Sequence, residues 1–113
     1  MSPADEVIQS DDNRMTSPEP GLRRQVMSYS PGIMLVRHKI EPGWVGVAHS
    51  HAHEQLVFVL SGAIQLTIAG VKHALSAGDS ILVPGGAEHQ AHSDRASEVL
   101  DVFAPYRSDY APS

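Results

Sequence analysis

From Leu22 onward, apolar and polar residues alternate in short runs separated by turn residues. Residues 63–68 are the clearest case. There Ile64, Leu66 and Ile68 alternate with Gln65 and Thr67, the period-two pattern of a strand with one buried face. The same reading predicts strands over 24–29, 33–40, 44–51, 56–60, 71–75, 80–83, 89–92 and 99–103. Ser30-Pro31-Gly32, Glu41-Pro42-Gly43, Ser61-Gly62, Ala69-Gly70 and Ala77-Gly78-Asp79 punctuate them as turns. No stretch carries a 3.6-residue apolar stripe of helix length. Many short strands with regular turn signals predict an all-β sandwich or barrel.

Two stretches depart from this pattern. Leu56-Val57-Phe58-Val59-Leu60 is apolar without a break, so both faces of that strand need cover. One face fills the core. The other requires a second sheet or a partner chain, and a homodimer is the expectation. At the other extreme, residues 1–20 are polar, with Pro3, Pro18 and Pro20, and read as a disordered or loosely docked acidic tail ahead of a single domain over 21–113. The alternative is that this arm hides a first strand.

The chain is 113 residues long, one domain's worth, with ordinary globular proportions of 42% hydrophobic and 19% charged residues. Of its five net negative charges, four fall in the tail, where Asp5, Glu6, Asp11, Asp12 and Glu19 face Arg14 alone. There is no basic stripe, which argues against a nucleic-acid partner. The absence of cysteine excludes disulfides and thiolate metal sites. No apolar run approaches the ~20 residues of a membrane span, and no basic-then-apolar leader pattern opens the chain; the expectation is a cytoplasmic protein without a membrane partner.

The chemistry concentrates where the turn after residue 43 leads into the apolar run. His49, His51 and His53 occupy alternate positions, and imidazoles two apart on a strand share a face. Taken with Gln55 and Gly62, the stretch reads G-x5-H-x-H-x3-Q-x6-G from Gly43. A second pattern, G-x5-P-x-G-x2-H, runs from Gly78 through Pro84 and Gly86 to His89, with Ser93 four residues on. Together the two resemble the signature motifs of the cupin superfamily, with Gln55 where a Glu is usual and Ser93 where an Asn is usual. The resemblance implies a jelly-roll β-barrel whose interior holds one divalent transition metal (Ni, Zn, Fe or Mn) on His49, His51, Gln55 and His89. Three imidazoles and an amide oxygen suit any of these ions. Glu54, the nearer carboxylate, has the opposite strand parity and would need a bulge to reach the same point. His53 shares the ligands' parity and is a candidate for the cavity mouth. An uncharged Gln55 leaves the metal its full charge, a stronger Lewis acid, which favours isomerase or lyase-like steps over oxygenase chemistry. His38 and His73 read as half-exposed strand positions, His92 as a surface residue, and Met27, Met34 and Trp44 as packing.

The block H-S-H-A-H-E-Q and the ending Asp101-Val102-Phe103-Ala104-Pro105-Tyr106-Arg107 narrow the resemblance to the small pectin-degradation cupins, over residues 22–110. That family converts unsaturated uronates to linear 5-keto-4-deoxyuronates. The resemblance implies that Asp101 is the general acid/base, that Phe103 packs against the sugar ring, and that Arg107 binds the uronate carboxylate, a planar anion its fork matches. The structural alternative is an ion pair between Asp101 and Arg107. The functional alternatives are a cupin dioxygenase acting on a small organic substrate and a non-catalytic cupin that binds a metal or ligand.

Overall fold

The computed structural model describes residues 6–112, arranged as two antiparallel sheets. The strands are β1 (Thr16–Glu19), β2 (Leu22–Ser30), β3 (Ile33–Ile40), β4 (Glu54–Ser61), β5 (Ala63–Ile68), β6 (Val71–Ser76), β7 (Ser80–Val83), β8 (His89–His92) and β9 (Ser97–Ala104). The larger sheet has the order β1-β2-β3-β9-β4-β7 and the smaller one β6-β5-β8. This is the all-β jelly roll expected, and eight of its nine strands start and stop within three residues of a predicted run. The helical content of the described residues is a single 3-10 turn, Asp12–Arg14. Among these residues no helix is long and apolar enough to cross a membrane.

The period-two pattern assigns the faces. On β4, Val57 and Val59 are buried, while Glu54, Leu56, Phe58 and Leu60 point away from the core. On β9, Ser97, Val99, Asp101 and Phe103 are buried and alternate with half-buried neighbours. The main core lies between the sheets and includes Leu22, Ile40, Val57, Val59, Ile64, Leu66, Leu75, Val83 and Val99. A second cluster, Met34, Val36 and Phe103, fills one end, with Tyr29, Tyr106 and Tyr110 packed on it. Met34 is core as expected, whereas Met27 is only half-buried. The small sheet covers the Val57 and Val59 face of β4. Among the described residues nothing covers the other face, so the unbroken apolar run is not explained by a second sheet within the chain.

Two sequence expectations change. Residues 44–51 form no strand; they make only isolated bridges, Val45 to His92 and His49 to His89. This segment carries the chain from the large sheet to the edge of the small one, so no continuous partner lies beside it. The N-terminal arm also differs from a loose tail, although residues 1–5 lie outside the described residues. β1 pairs with β2, and Pro18 is tolerated there because β1 is an edge strand. Asp12 pairs with the buried Arg37 and with Lys39 at 2.7 Å. Gln25, also buried, is held by the Asp11 amide and the Gln9 carbonyl. Local composition hid this docking because the arm's partners lie elsewhere in the chain, on β2, on β3 and at Trp44.

Candidate metal centre and cavity

His49 and His89 meet across the β-bridge, each amide donating to the other's carbonyl at 3.0 and 2.8 Å. His51 is brought in by the second motif: the Gly86 amide donates to the His51 carbonyl at 2.7 Å. Gly85 passes so close that a Cβ there would lie 2.5 Å from the Ala52 carbonyl oxygen, so the position requires glycine. The three rings approach to 4.3 Å (His49–His89), 4.8 Å (His51–His89) and 5.6 Å (His49–His51). One nitrogen from each lies within 4.8 Å of the others, close enough for one ion.

The backbone determines which nitrogen. His49 Nδ1 lies 3.0 Å from the Val47 carbonyl, His51 Nδ1 3.0 Å from the His53 carbonyl, and His89 Nδ1 2.9 Å from the Ala87 carbonyl. A carbonyl only accepts, so each Nδ1 carries the hydrogen and each Nε2 presents a lone pair. Backbone carbonyls thus orient all three imidazoles, as outer partners do in metal sites. Burial pushes the His51 and His89 imidazoles below their ordinary value, with Arg107 adding to the effect at His51. Both are therefore held neutral, the form a metal needs.

Gln55 stands on β4 with its side chain inward, whereas Glu54 is exposed on the other face. Its Nε2 donates to Asp101 Oδ1 at 2.9 Å, which turns Oε1 towards His51 Nε2 at 3.1 Å. Both facing atoms are acceptors. Two lone pairs at that separation repel unless a cation, or a donor such as water, joins them. His89 Nε2 is likewise buried without a hydrogen-bond partner. The donor set therefore fits a divalent metal, with Gln55 Oε1 as a fourth ligand atom.

The network continues away from this centre. Asp101 Oδ2 lies 2.6 Å from His38 Nδ1, and Arg24 Nε donates to His38 Nε2 at 3.0 Å. Because Nε2 accepts, Nδ1 donates to Asp101. Arg24, His38, Asp101 and Gln55 form one row across β2, β3, β9 and β4, with Arg24 opposite His38 and the other steps diagonal. His38 is buried, not half-exposed, because its partner Asp101 arrives from a strand 63 residues away.

Asp101 does not pair with Arg107. Arg107 instead donates through Nε and Nη2 to Asp109, at 3.2 and 2.7 Å, and lies over the Phe103 ring at 5.2 Å. That contact holds the Asp109 carboxyl below its usual range. Phe103 is buried with its ring 5.9 Å from His51 and 5.6 Å from Tyr110. His53 packs its ring against His51 and Phe103. His73 and His92 are half-exposed on β6 and β8. Ser93, at the end of the second motif, bonds the Ala63 and Arg95 carbonyls at 2.7 and 2.6 Å and so ties β8 to β5.

These groups surround a cavity of about 220 Å³ between the sheets. Leu22, Ile40, Ile64, Leu66 and Val99 give it apolar walls, while Arg24, His49, Gln55, His89, Asp101 and Arg107 supply the polar side. Trp44 also lines it and donates to Glu19 Oε2 at 3.0 Å, a bond that ties β1 to the cavity wall. Sequence reasoning found the histidines and Asp101 but missed Arg24, His38 and Glu19, whose only signal was their strand parity.

The Cupin domain family matches residues 36–103 of the chain. The pectin degradation protein KdgF of Dickeya dadantii (strain 3937) is 29% identical over 92 residues, 80% of this chain and 84% of that protein. Among solved structures, KdgF from Halomonas sp. superposes with a TM-score of 0.82 at 34% identity, covering 86% of this chain and 90% of that one. An RmlC-like cupin from Shewanella frigidimarina NCIMB 400 superposes with a TM-score of 0.83 at 31% identity, covering 86% and 87%.

Proposed function

The chain belongs to the cupin family, and from that premise we propose that it is an isomerase that converts an unsaturated uronate to the linear 5-keto-4-deoxyuronate. The substrate class follows the pectin-degradation relatives. The observation that carries the reading is the hydrogen-bond row that turns Gln55 Oε1 towards His51, one of the three clustered histidines, and leaves a buried carboxylate, Asp101, lining the same cavity. At about 220 Å³ the cavity is smaller than the ~300 Å³ and upward of a drug-sized site, which suits a monosaccharide.

The unsaturated ring has a C4=C5 double bond beside the ring oxygen and a hemiacetal at C1. Isomerisation breaks the bond from C1 to the ring oxygen, leaves an aldehyde at C1, and converts the released C5 enol to a ketone. In net terms one proton leaves the C1 hydroxyl and one arrives at C4. In this reading Asp101 moves it, supported by the lone pair that each carboxylate oxygen keeps beyond the one that accepts from Gln55 or His38. His49, His51, His89 and Gln55 would hold a divalent ion, which would supply Lewis-acid polarisation of a sugar oxygen. Phe103 packs against the sugar, and Arg107 contributes charge at the rim. The donor set admits Ni, Zn, Fe or Mn. In this reading the enzyme is a homodimer, joined through the uncovered apolar face of β4.

Metal-loaded protein mixed with monomeric unsaturated galacturonate should bleach the double-bond absorbance well above the uncatalysed rate, with no oxygen uptake. Oxygen consumed in step with substrate would make the protein a dioxygenase instead. Stable binding without turnover would make it a ligand-binding cupin.

A further inference from the structure

The cavity contains two arginines, and they are not equivalent. Arg107 already holds a carboxylate, since its Nε and Nη2 both donate to Asp109. Arg24 holds none: among the described residues no carboxylate lies within ion-pair distance of it. Its one hydrogen bond is the Nε contact to His38, which leaves the Nη1–Nη2 edge without a protein acceptor among these residues.

Arg24 is nonetheless tightly fixed. Its guanidinium carbon sits 3.7 Å over the Tyr110 ring, and that of Arg107 sits 4.0 Å over the same ring. Two guanidiniums stacked that closely on one face would overlap, so they occupy opposite faces of Tyr110. The ring sets the plane of Arg24 and His38 sets its rotation. A fork held this way has little rotamer entropy left to lose on binding. The other charges on this cavity are spoken for: Asp101 accepts from Gln55 and His38, and Glu19 accepts from Trp44.

We propose that Arg24 is the carboxylate-binding residue of this cavity, the planar carboxylate of a sugar acid lying against its Nη1–Nη2 edge. Arg107 then serves as a rim cation whose own fork stays on Asp109. The uronate as ligand rests on the function proposed above; the anion site itself rests on the geometry of Arg24.

The test uses metal-loaded full-length protein with Arg24→Gln, Arg24→Lys and Arg107→Gln variants. Two readouts are needed: kcat and KM on unsaturated galacturonate, and calorimetric affinity for galacturonate against uncharged galactose. Loss of a charge-assisted contact should raise KM about 10–100-fold in Arg24→Gln and weaken galacturonate binding by a similar factor, with galactose unaffected. Arg24→Lys, which keeps the charge but loses the fork, should fall between, and it decides the matter if the glutamine variant does not fold. Arg107→Gln should retain the preference for galacturonate. The assignment is overturned if kcat alone falls while KM and the galacturonate preference stay intact, since Arg24 would then act only through His38. It is also overturned if the preference disappears in Arg107→Gln but survives in Arg24→Gln, or if the wild type has no such preference. Absent turnover in the wild type would defeat the proposed reaction, and the calorimetric preference would still decide Arg24.

Discussion

Asp101 sets the direction of every hydrogen bond in the row from Arg24 to Gln55, which makes its amide a harsher substitution than its shape suggests. In Asp101→Asn one side of the new group is a donor. Turned to His38, it meets Nδ1–H; changing the His38 tautomer only moves the clash to Arg24 Nε–H. Turned to Gln55, it forces that amide to flip and present Nε2 to His51. We therefore expect Asp101→Asn to lose about 1–3 kcal/mol of stability from one opposed buried pair. If Asp101 also moves the proton, turnover per folded molecule falls ~10²–10⁴-fold. Thermal melts and steady-state rates separate the two, and normal turnover per folded molecule would end the acid/base assignment. At the ligands, His89→Ala should strip most of the metal by elemental analysis while the fold survives on its apolar strands; full occupancy would refute the centre. The pH response follows from burial. The His51 and His89 values lie below the ordinary 6.5 when folded. Below pH 6.5 the unfolded chain thus binds more protons, so metal-free protein keeps this contribution above 6.5 and loses it as pH falls through the lowered folded values. Melting temperature against pH after chelation should slope down on the acid side of 6.5, and more steeply with metal present, since protons also displace the ion. The three clustered histidines were legible because both motifs are local and their spacings specific. His38 and Arg24 were not, because what makes each significant is a partner on another strand.

At the scale of elements, the strands that alternate cleanly could be read from sequence, and the two failures share a cause. Residues 44–51 contain β-formers, but Gly43 and Gly46 loosen the chain and no neighbouring strand offers a continuous ladder, so only bridges form. β1 has the opposite history: Thr16-Ser17-Pro18-Glu19 has weak strand character and becomes a strand through pairing with β2. Its consequence is measurable. A chain starting at Gly21 loses β1, the Asp12 contacts to Arg37 and Lys39, and the Gln25 partners, and leaves Arg37, 5% exposed, with only Glu98 at 3.6 Å. Its melting temperature should drop by several degrees, and an unchanged melt would restore the view of residues 6–20 as dispensable. The β4–β5 hairpin gives a sharper case. Gly62 has φ +78°, and a Cβ there would lie 2.3 Å from Ser97 Oγ and 2.4 Å from the Ala96 carbonyl. Gly62→Ala should cost at least about 1–3 kcal/mol in chemical denaturation, and a variant as stable as wild type would show that the turn can relax.

For the whole molecule, the outer face of the large sheet is divided between two kinds of surface. Over β2 and β3 it is covered by the N-terminal arm, whose Asp12 pairs with Arg37 and Lys39. Over β4 and β7 it is bare and apolar: Leu56 is 49% exposed, Phe58 39%, Leu60 43% and Leu82 47%. Leu56 pairs directly with Leu82 across the two strands, so these side chains form one patch rather than scattered exposures. The sequence announced the excess in the run from Leu56 to Leu60, but only the fold tells which half of it the chain buries by itself. The homodimer proposed above would cover the rest, since a two-fold contact sets each patch against its own equivalent and matches apolar to apolar. On that proposal a charge placed at its centre would face the same charge in the partner, both drawn out of water, so wild type should sediment as a dimer and Phe58→Glu as a monomer. The cavity opens between the sheets, on the opposite side of β4, so this monomer should retain its metal. Sedimentation velocity of both proteins, with metal content beside it, decides the matter. A monomeric wild type, or a Phe58→Glu variant that still sediments as a dimer, would remove this face from the assembly.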